Sequence, residues 1–179
     1  MGNEDFAYVA GLFDGEGSIT INKNRSDCGR PSYTLLVYIT NTNEAIIDWL
    51  LTKFGGTLYT RSVSKGHRPC WDWKKYGNNA RDFLTLINPY LRIKKHQAEL
   101  AIKFQGIKNQ KIYHSKVTYV HRTEEELDVL ERYRQEVSKL SSRNRVETIV
   151  TRPHMQPRLS MIDVFKMMEE NSKKEGATL

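Results

Sequence analysis

Two acids stand close together near the start of the chain, Asp14 and Glu16 in the run Asp14-Gly15-Glu16-Gly17. The residues before them, Val9-Ala10-Gly11-Leu12-Phe13, are small or apolar. Gly11 and Gly15 are four apart, on one face of a helix, and with Ala7 and Ala10 they leave a face almost bare of side chain. Two such helices can approach backbone to backbone. The pair would set two copies of Glu16 a short distance apart at its end. Paired carboxylates beside exposed backbone carbonyls suit a hard divalent cation such as Mg²⁺. Two cations held this way can activate water and stabilise the leaving oxygen in phosphodiester hydrolysis. Asp14 is the rival carboxylate, and its place inside the helix end suits capping or bonding to neighbouring backbone.

The elements that position these groups follow from periodicity. Phe6, Val9, Ala10 and Phe13 predict a helix over Glu4–Phe13, capped by Asn3 or Asp5 and broken by the glycines that follow. Alternation predicts a strand over 18–22, and β-branched and aromatic residues a second over 33–40. A helix over 44–54 follows, with Asn43 as its cap and Gly55-Gly56 as its stop. Strands are predicted over 57–63 and 68–73, then helices over 78–87, 95–107 and 123–140. Thr123 to Glu126 reads as a capping box, and residues 159–170 as a last helix. Strands in adjacent pairs imply hairpins, hence an antiparallel sheet with helices on one face, an α+β architecture.

The chain has 179 residues, and its 28 lysines and arginines against 21 acids give a net charge of +7. That excess favours a polyanionic partner, nucleic acid or an anionic membrane surface. No apolar stretch is long enough to span a bilayer. The acidic start, Met1-Gly2-Asn3-Glu4-Asp5, opens no signal peptide, and Phe6 stands where a myristoylation site needs Ser or Thr. Cys28 and Cys70 suffice neither for a disulfide scaffold nor for a thiolate zinc site. The expectation is an intracellular protein of a reducing compartment, an organelle or a prokaryotic or archaeal cytoplasm. His114 has no partner at zinc spacing and reads as a surface histidine.

The segment Val9 to Ile19 resembles the LAGLIDADG motif of homing endonucleases. It matches at Ala10-Gly11, Leu12-Phe13, Asp14 and Gly15-Glu16-Gly17; Val9 replaces Leu and Glu16 replaces Asp. The predicted β-β-α-β-β-α order matches the family core. Asn88-Pro89-Tyr90-Leu91-Arg92-Ile93-Lys94-Lys95 resembles a second family landmark. The resemblance covers residues 4–145, with 1–145 as the endonuclease domain. Residues 146–179 are expected to be an extension packing on the core through Met161, Ile162 and Phe165.

The resemblance implies an αββαββα core whose antiparallel sheet forms a DNA-binding saddle. Only one motif copy is present, so it implies a homodimer, with Ala7, Ala10, Gly11, Asp14 and Gly15 at the interface. It implies a divalent-metal-dependent, intron-encoded enzyme that hydrolyses both strands of a long pseudo-palindromic target. Glu16 and the Gly15 carbonyl would bind Mg²⁺, with Mn²⁺ or Ca²⁺ as substitutes. Lys94 would act on water or phosphate, or be a helix-start surface lysine. Asn41 would orient water, or belong to the strand-end turn Asn41-Thr42-Asn43. The rival functions are an intron maturase that binds its own intron RNA, and a DNA-binding protein without nuclease activity.

A β-ribbon fits the major groove, where alternate side chains reach base edges. The polar set of the first strand is Ser18, Thr20, Asn22 and Asn24, opposite Ile19 and Ile21. Ser32, Thr34 and Tyr38 continue it on the second strand. By comparison with the family, Tyr59 and Arg61 serve on the third. Trp71 and Trp73 share one face of the fourth, either toward the core or toward DNA. Lys23, Arg25, Arg30, Lys65 and Arg68 sit in turns suited to phosphate contacts. The basic break at Arg143 and Arg145 is expected to meet the DNA backbone, with Lys116, Lys139 and Arg152 adding to it.

Overall fold

A computed structural model of the chain describes residues 2–25, 29–60, 69–110 and 122–143, the side chains of 142 and 143 excepted. All of them fall in one compact unit, Met1–Arg143. The predicted last helix and the expected packing of residues 146–179 lie outside the described residues. The elements run α1 (Asn3–Glu16), β1 (Gly17–Arg25), β2 (Pro31–Asn41), α2 (Glu44–Phe54), β3 (Thr57–Thr60), β4 (Trp71–Tyr76), α3 (Gly77–Ile87), α4 (Lys95–Asn109) and α5 (Glu124–Arg143). A single 3₁₀ turn, Asn88–Tyr90, separates α3 from the approach to α4. The four strands make one sheet in the order β1-β2-β4-β3, every pairing antiparallel. The expected α+β class, with its ββ units, is what the chain adopts. Among the described residues no helix is long and apolar enough to cross a membrane.

The core lies between the sheet and the helices. Ile19 and Ile21 of β1, Leu35, Val37 and Ile39 of β2, and Trp73 of β4 pack against Val9, Phe13, Leu50, Phe83, Leu84 and Phe104 from the helices. Phe83 is the hub. Its ring meets those of Phe13 at 5.6 Å, Phe54 at 5.6 Å and Trp73 at 4.9 Å, all edge-on, the arrangement that ring quadrupoles favour. Gln97 of α4 ties three elements together. Its amide donates to the carbonyls of Ile19 at 3.3 Å and Val137 at 3.1 Å, and to Ser141 Oγ at 2.6 Å.

Several boundaries differ from expectation, β1 running on to Arg25 among them. Helix α1 does not stop at Phe13 but runs to Glu16. Gly17 ends it rather than Gly15. The Gly17 N–H caps the Phe13 carbonyl, and a Cβ there would collide with the Phe13 ring and carbonyl. No side chain caps α1: Asn3 lies inside the helix, and Asp5 instead pairs with Lys53 at 3.6 Å. Asn43 makes no side-chain cap on α2. Strand β4 lies three residues later than predicted. Trp73 is wholly buried, its indole N–H donating 2.7 Å to the Gly55 carbonyl. Lys75, on the same side, reaches the Phe54 carbonyl, so the strand continues through the lysines. The predicted capping box of α5 forms: Glu126 N donates to Thr123 Oγ1 at 3.3 Å and Thr123 N to Glu126 Oε2 at 3.1 Å.

Candidate functional site

The C-terminal turn of α1 concentrates negative charge. The last carbonyls of any helix lack partners and carry the negative end of its dipole. This helix adds the exposed carboxylate of Glu16 there and has no basic residue in its last turn. An acid at a helix C-terminus is locally unfavourable, the kind of broken rule that marks a functional site.

Asp14, two residues back and so on the opposite side of the helix, is buried. Its carboxylate accepts three successive backbone N–H groups: Oδ2 those of Arg92 at 2.8 Å and Ile93 at 3.1 Å, Oδ1 that of Lys94 at 2.9 Å. These N–H groups precede α4 and have no intrahelical partners, so Asp14 supplies what the chain there lacks. The clasp brings Lys94 across the helix end, where its ammonium donates to the Asp14 carbonyl. Burial pushes the Lys94 pKa down, while the nearby charges of Asp14 and then Glu16 oppose that shift. The expected neighbours Glu16 and Lys94 are thus brought together, and Asp14 is the agent.

The small-residue face is real but narrower than expected. Ala7, Gly11 and Gly15 are exposed, and a Cβ added to either glycine would meet nothing within 4 Å among the described residues. Ala10 is not on it. It is wholly buried beside Val9 and Phe13, so its assignment to a subunit interface is corrected. Asp14 is corrected likewise, since it faces the chain's own Arg92–Lys94 backbone. Ile93, 64% exposed, leaves an apolar side chain bare beside the motif.

Glu16 and the carbonyl end of α1 are oxygen donors of the kind that hard divalent cations take. Among the described residues no group of three or more His, Cys, Asp or Glu gathers to hold a metal. One chain offers one exposed carboxylate plus backbone oxygens, donors that fit the chemistry of such a cation. Asn41 ends β2, two residues beyond the Gly17–Ile39 pair and hence at the same end of the sheet. Its Oδ1 accepts the Asn43 N–H at 2.8 Å, so the side chain serves the strand-end turn.

The outer face of the sheet, away from the helices, follows from register. Asn24 lies opposite Ser32, Asn22 opposite Thr34, Thr20 opposite Leu36 and Ser18 opposite Tyr38. All the chosen polar positions of the first two strands therefore share that face. On β4 the parity is the reverse of a DNA-facing Trp pair. Trp73 is core and Trp71 packs partly buried against it, so the assignment of both to DNA is corrected. Asp72, Lys74 and Tyr76 face outward instead, opposite Thr40, Tyr38 and Leu36, with Tyr59 and Thr57 of β3 beside them.

Lys23 lies in β1 on the helix side, 3.0 Å from Glu131 of α5, rather than in a turn that offers it to phosphate. Arg25 ends β1 on that same side, and Arg25 and Arg30 are exposed. Lys139 is exposed on α5. Arg61, Lys65, Arg68, His114, Lys116, Arg145 and Arg152 lie outside the described residues, as does the side chain of Arg143.

Sequence reasoning missed Thr40, Asp72, Lys74 and Tyr76. The available signal was the alternation Trp71-Asp72-Trp73-Lys74, which fixes two faces but does not say which is buried.

A family model described as a LAGLIDADG-like domain matches residues 3–88. The homing endonuclease I-CvuI, solved with I-CreI target DNA and Mg and with the DNA not cleaved, is similar at 16% identity and TM-score 0.60, over 94% of this chain and 95% of that one. The archaeal intron-encoded homing endonuclease I-Vdi141I, complexed with DNA, is similar at 12% identity and TM-score 0.61, over 94% and 96%. The meganuclease I-SmaMI, bound to uncleavable DNA, is similar at 18% identity and TM-score 0.58, over 73% of this chain and 44% of that one. At these identities the likeness is one of fold. No curated protein matches the chain by sequence.

Proposed function

We propose, from the match of residues 3–88 to a LAGLIDADG-like domain, that the chain is a site-specific DNA endonuclease acting as a homodimer. Each subunit would cut one strand of a pseudo-palindromic target. The observation that carries this reading is the exposed Glu16 carboxylate at the end of a glycine-faced helix, with Lys94 held beside it by Asp14.

Glycine inside a helix costs about 1 kcal/mol against alanine. Among the described residues, Gly11 and Gly15 meet no obstacle that would require them. A second copy packed on the same face supplies the missing reason, and the bare Ile93 lies at the motif end. Two-fold symmetry would bring the two Glu16 carboxylates and α1 carbonyl ends toward each other, completing the oxygen set that one chain leaves partial. A divalent cation bound there would supply a Lewis acid and an activated water. The chain's own part is to hold that cation through Glu16 and Gly15, to set Lys94 against the reacting phosphate's charge, and to place the duplex against the outer face of the sheet. The formal charge of +7 supports a polyanionic partner.

The test uses the full chain, a randomised duplex library and Mg²⁺, with cleaved ends sequenced and the protein sized by gel filtration. A dimer that cuts related, symmetric sequences on both strands, and stops in EDTA, is the expected result. Full cleavage by a monomer, or tight binding of structured RNA with no DNA cut, would overturn the reading.

A further inference from the structure

Among the described residues, the outer face of the sheet holds an ion pair, Asp72 with Lys74, in a fixed position. Strand β4 is interior, between β2 and β3. Lys74 belongs to the transverse row Ser18–Tyr38–Lys74–Thr57, and Asp72 to the adjoining row Thr40–Asp72–Tyr59. Asp72 is only 2% exposed although it points outward. Its Oδ1 accepts the Thr40 hydroxyl at 2.6 Å, and its Oδ2 lies 3.1 Å from Lys74 Nζ. The same ammonium stands 4.5 Å from the centre of the Tyr59 ring. The side chain of Lys74 keeps 23% exposure, so it is held and still reachable.

A free lysine loses much rotamer entropy on binding. Here the ion pair and the ring have already fixed it, so a ligand finds a pre-positioned donor. Location decides which ligand atom it meets. Cations at the rim of a DNA-binding sheet face phosphates, whereas the middle of an interior strand faces base edges in the major groove. There guanine presents two acceptors, O6 and N7, suited to a lysine. Strand β4 starts at the sheet end where α1 passes into β1, so these rows lie toward the dyad of a two-subunit complex.

We infer that Lys74, held by Asp72 and Tyr59, reads a guanine in each half of the target among the base pairs nearest its centre, with Asp72 as its positioning residue. This rests on the DNA-binding reading above. The experiment selects bound duplexes from a randomised library with the full chain and with Lys74→Met, Lys74→Arg and Asp72→Asn, and sequences them.

The wild-type consensus should contain guanine at one symmetric pair of positions. Lys74→Met should reduce the preference there by about 10- to 100-fold and leave other positions unchanged. Lys74→Arg should keep guanine, and Asp72→Asn should relax the same positions less. Thermal melting of each variant separates lost recognition from lost folding, and Asp72→Asn carries the test should Lys74→Met melt early. Unchanged preference in Lys74→Met overturns the inference. So does a uniform loss over all sequences with the salt slope reduced by about one, the mark of a phosphate contact. A wild-type chain that cuts a defined site whose profile ignores Lys74 defeats this inference alone; one that neither enriches nor cuts any sequence defeats the endonuclease reading with it.

Discussion

Two buried aspartates organise two different regions. Asp14 at the end of α1 is gripped by backbone, three N–H groups from Arg92 to Lys94. Asp72 on β4 is gripped by side chains, the hydroxyl of Thr40 and the ammonium of Lys74. A carboxylate bonded to consecutive backbone donors fixes a segment of main chain, and with it every side chain that segment carries. A carboxylate bonded to side chains fixes only those side chains. The first arrangement suits chemistry at one point, where a lysine must stay put. The second suits recognition, where the group held in place can differ from one target to another while the fold stays the same.

The largest expected effect tests the motif end directly. Glu16→Gln should lower the cleavage rate on the order of 1,000-fold, with binding of the same duplex retained; quantitative cleavage and gel-shift assays on one substrate read both. Normal cutting by this variant would move the chemistry away from the end of α1 and dissolve the contrast between the two regions.

Trp73→Ala probes the core-facing side of the strand that carries Asp72. It should cost about 3–5 kcal/mol of stability, measured by denaturant unfolding. A folded Trp73→Ala protein with an altered target preference would mean that the parity of β4 is the reverse of the one described. Asp14→Ala comes next. Its three N–H groups would lose a charged acceptor, for a loss of about 2–3 kcal/mol. Cleavage should fall further than stability explains, because Lys94 loses its anchor. Asp72→Asn should cost less stability than Asp14→Ala, since the groups Asp72 holds can turn toward water.

The difference between the regions also explains what could be read from sequence. The motif end was legible through its resemblance to the LAGLIDADG motif, and Lys94 through the second family landmark, whereas glycine and alanine at helical spacing also suit plain core packing. Even there, Ala10 was put on the exposed face when it belongs to the core, since Ala fits both. The role of Asp14 as a clasp needed a partner 78 to 80 residues away, which no local pattern reveals. On β1 and β2 the outer face was legible because isoleucine, leucine and valine alternate with polar residues. On β4 both faces carry large side chains, and tryptophan suits either core or ligand. Only the partner of its indole N–H, the Gly55 carbonyl, decides the question.

Gly11→Ala sharpens the comparison from the surface side. In the isolated chain it should stabilise α1 by up to about 1 kcal/mol, because a Cβ there meets open space. In the proposed dimer it should obstruct the approach of the second helix. Gel filtration shifting toward monomer, with an unchanged or raised melting temperature, is the expected pair of results. A dimer of undiminished affinity would place the subunit contact elsewhere.

The smallest effect concerns a third carboxylate, held like Asp72 by side chains but nearer to water. Glu131 of α5 accepts from Arg134 at 2.6 Å and Tyr33 Oη at 2.7 Å, with Lys23 3.0 Å away. Arg134 foremost, with Tyr33 and Lys23, holds its pKa well below the ordinary carboxylate range. A depressed folded-state pKa stabilises the fold above the unfolded value of about 4.3, and that contribution fades as the pH falls toward the folded pKa. Glu131→Gln should therefore cost about 1 kcal/mol or less near neutrality, since solvent weakens such pairs. It should also flatten the decline in stability on acidification, read by melting between pH 7 and about pH 3. Glu131 joins α5 to the β1–β2 ribbon through Tyr33 and Lys23. If side-chain grips serve recognition and backbone grips serve chemistry, the variant should loosen target discrimination at the positions proposed to face Asn22 and Asn24 while leaving the cleavage rate on the best target within a few fold. Equal losses in both would mean that the ribbon and the motif end work as one unit.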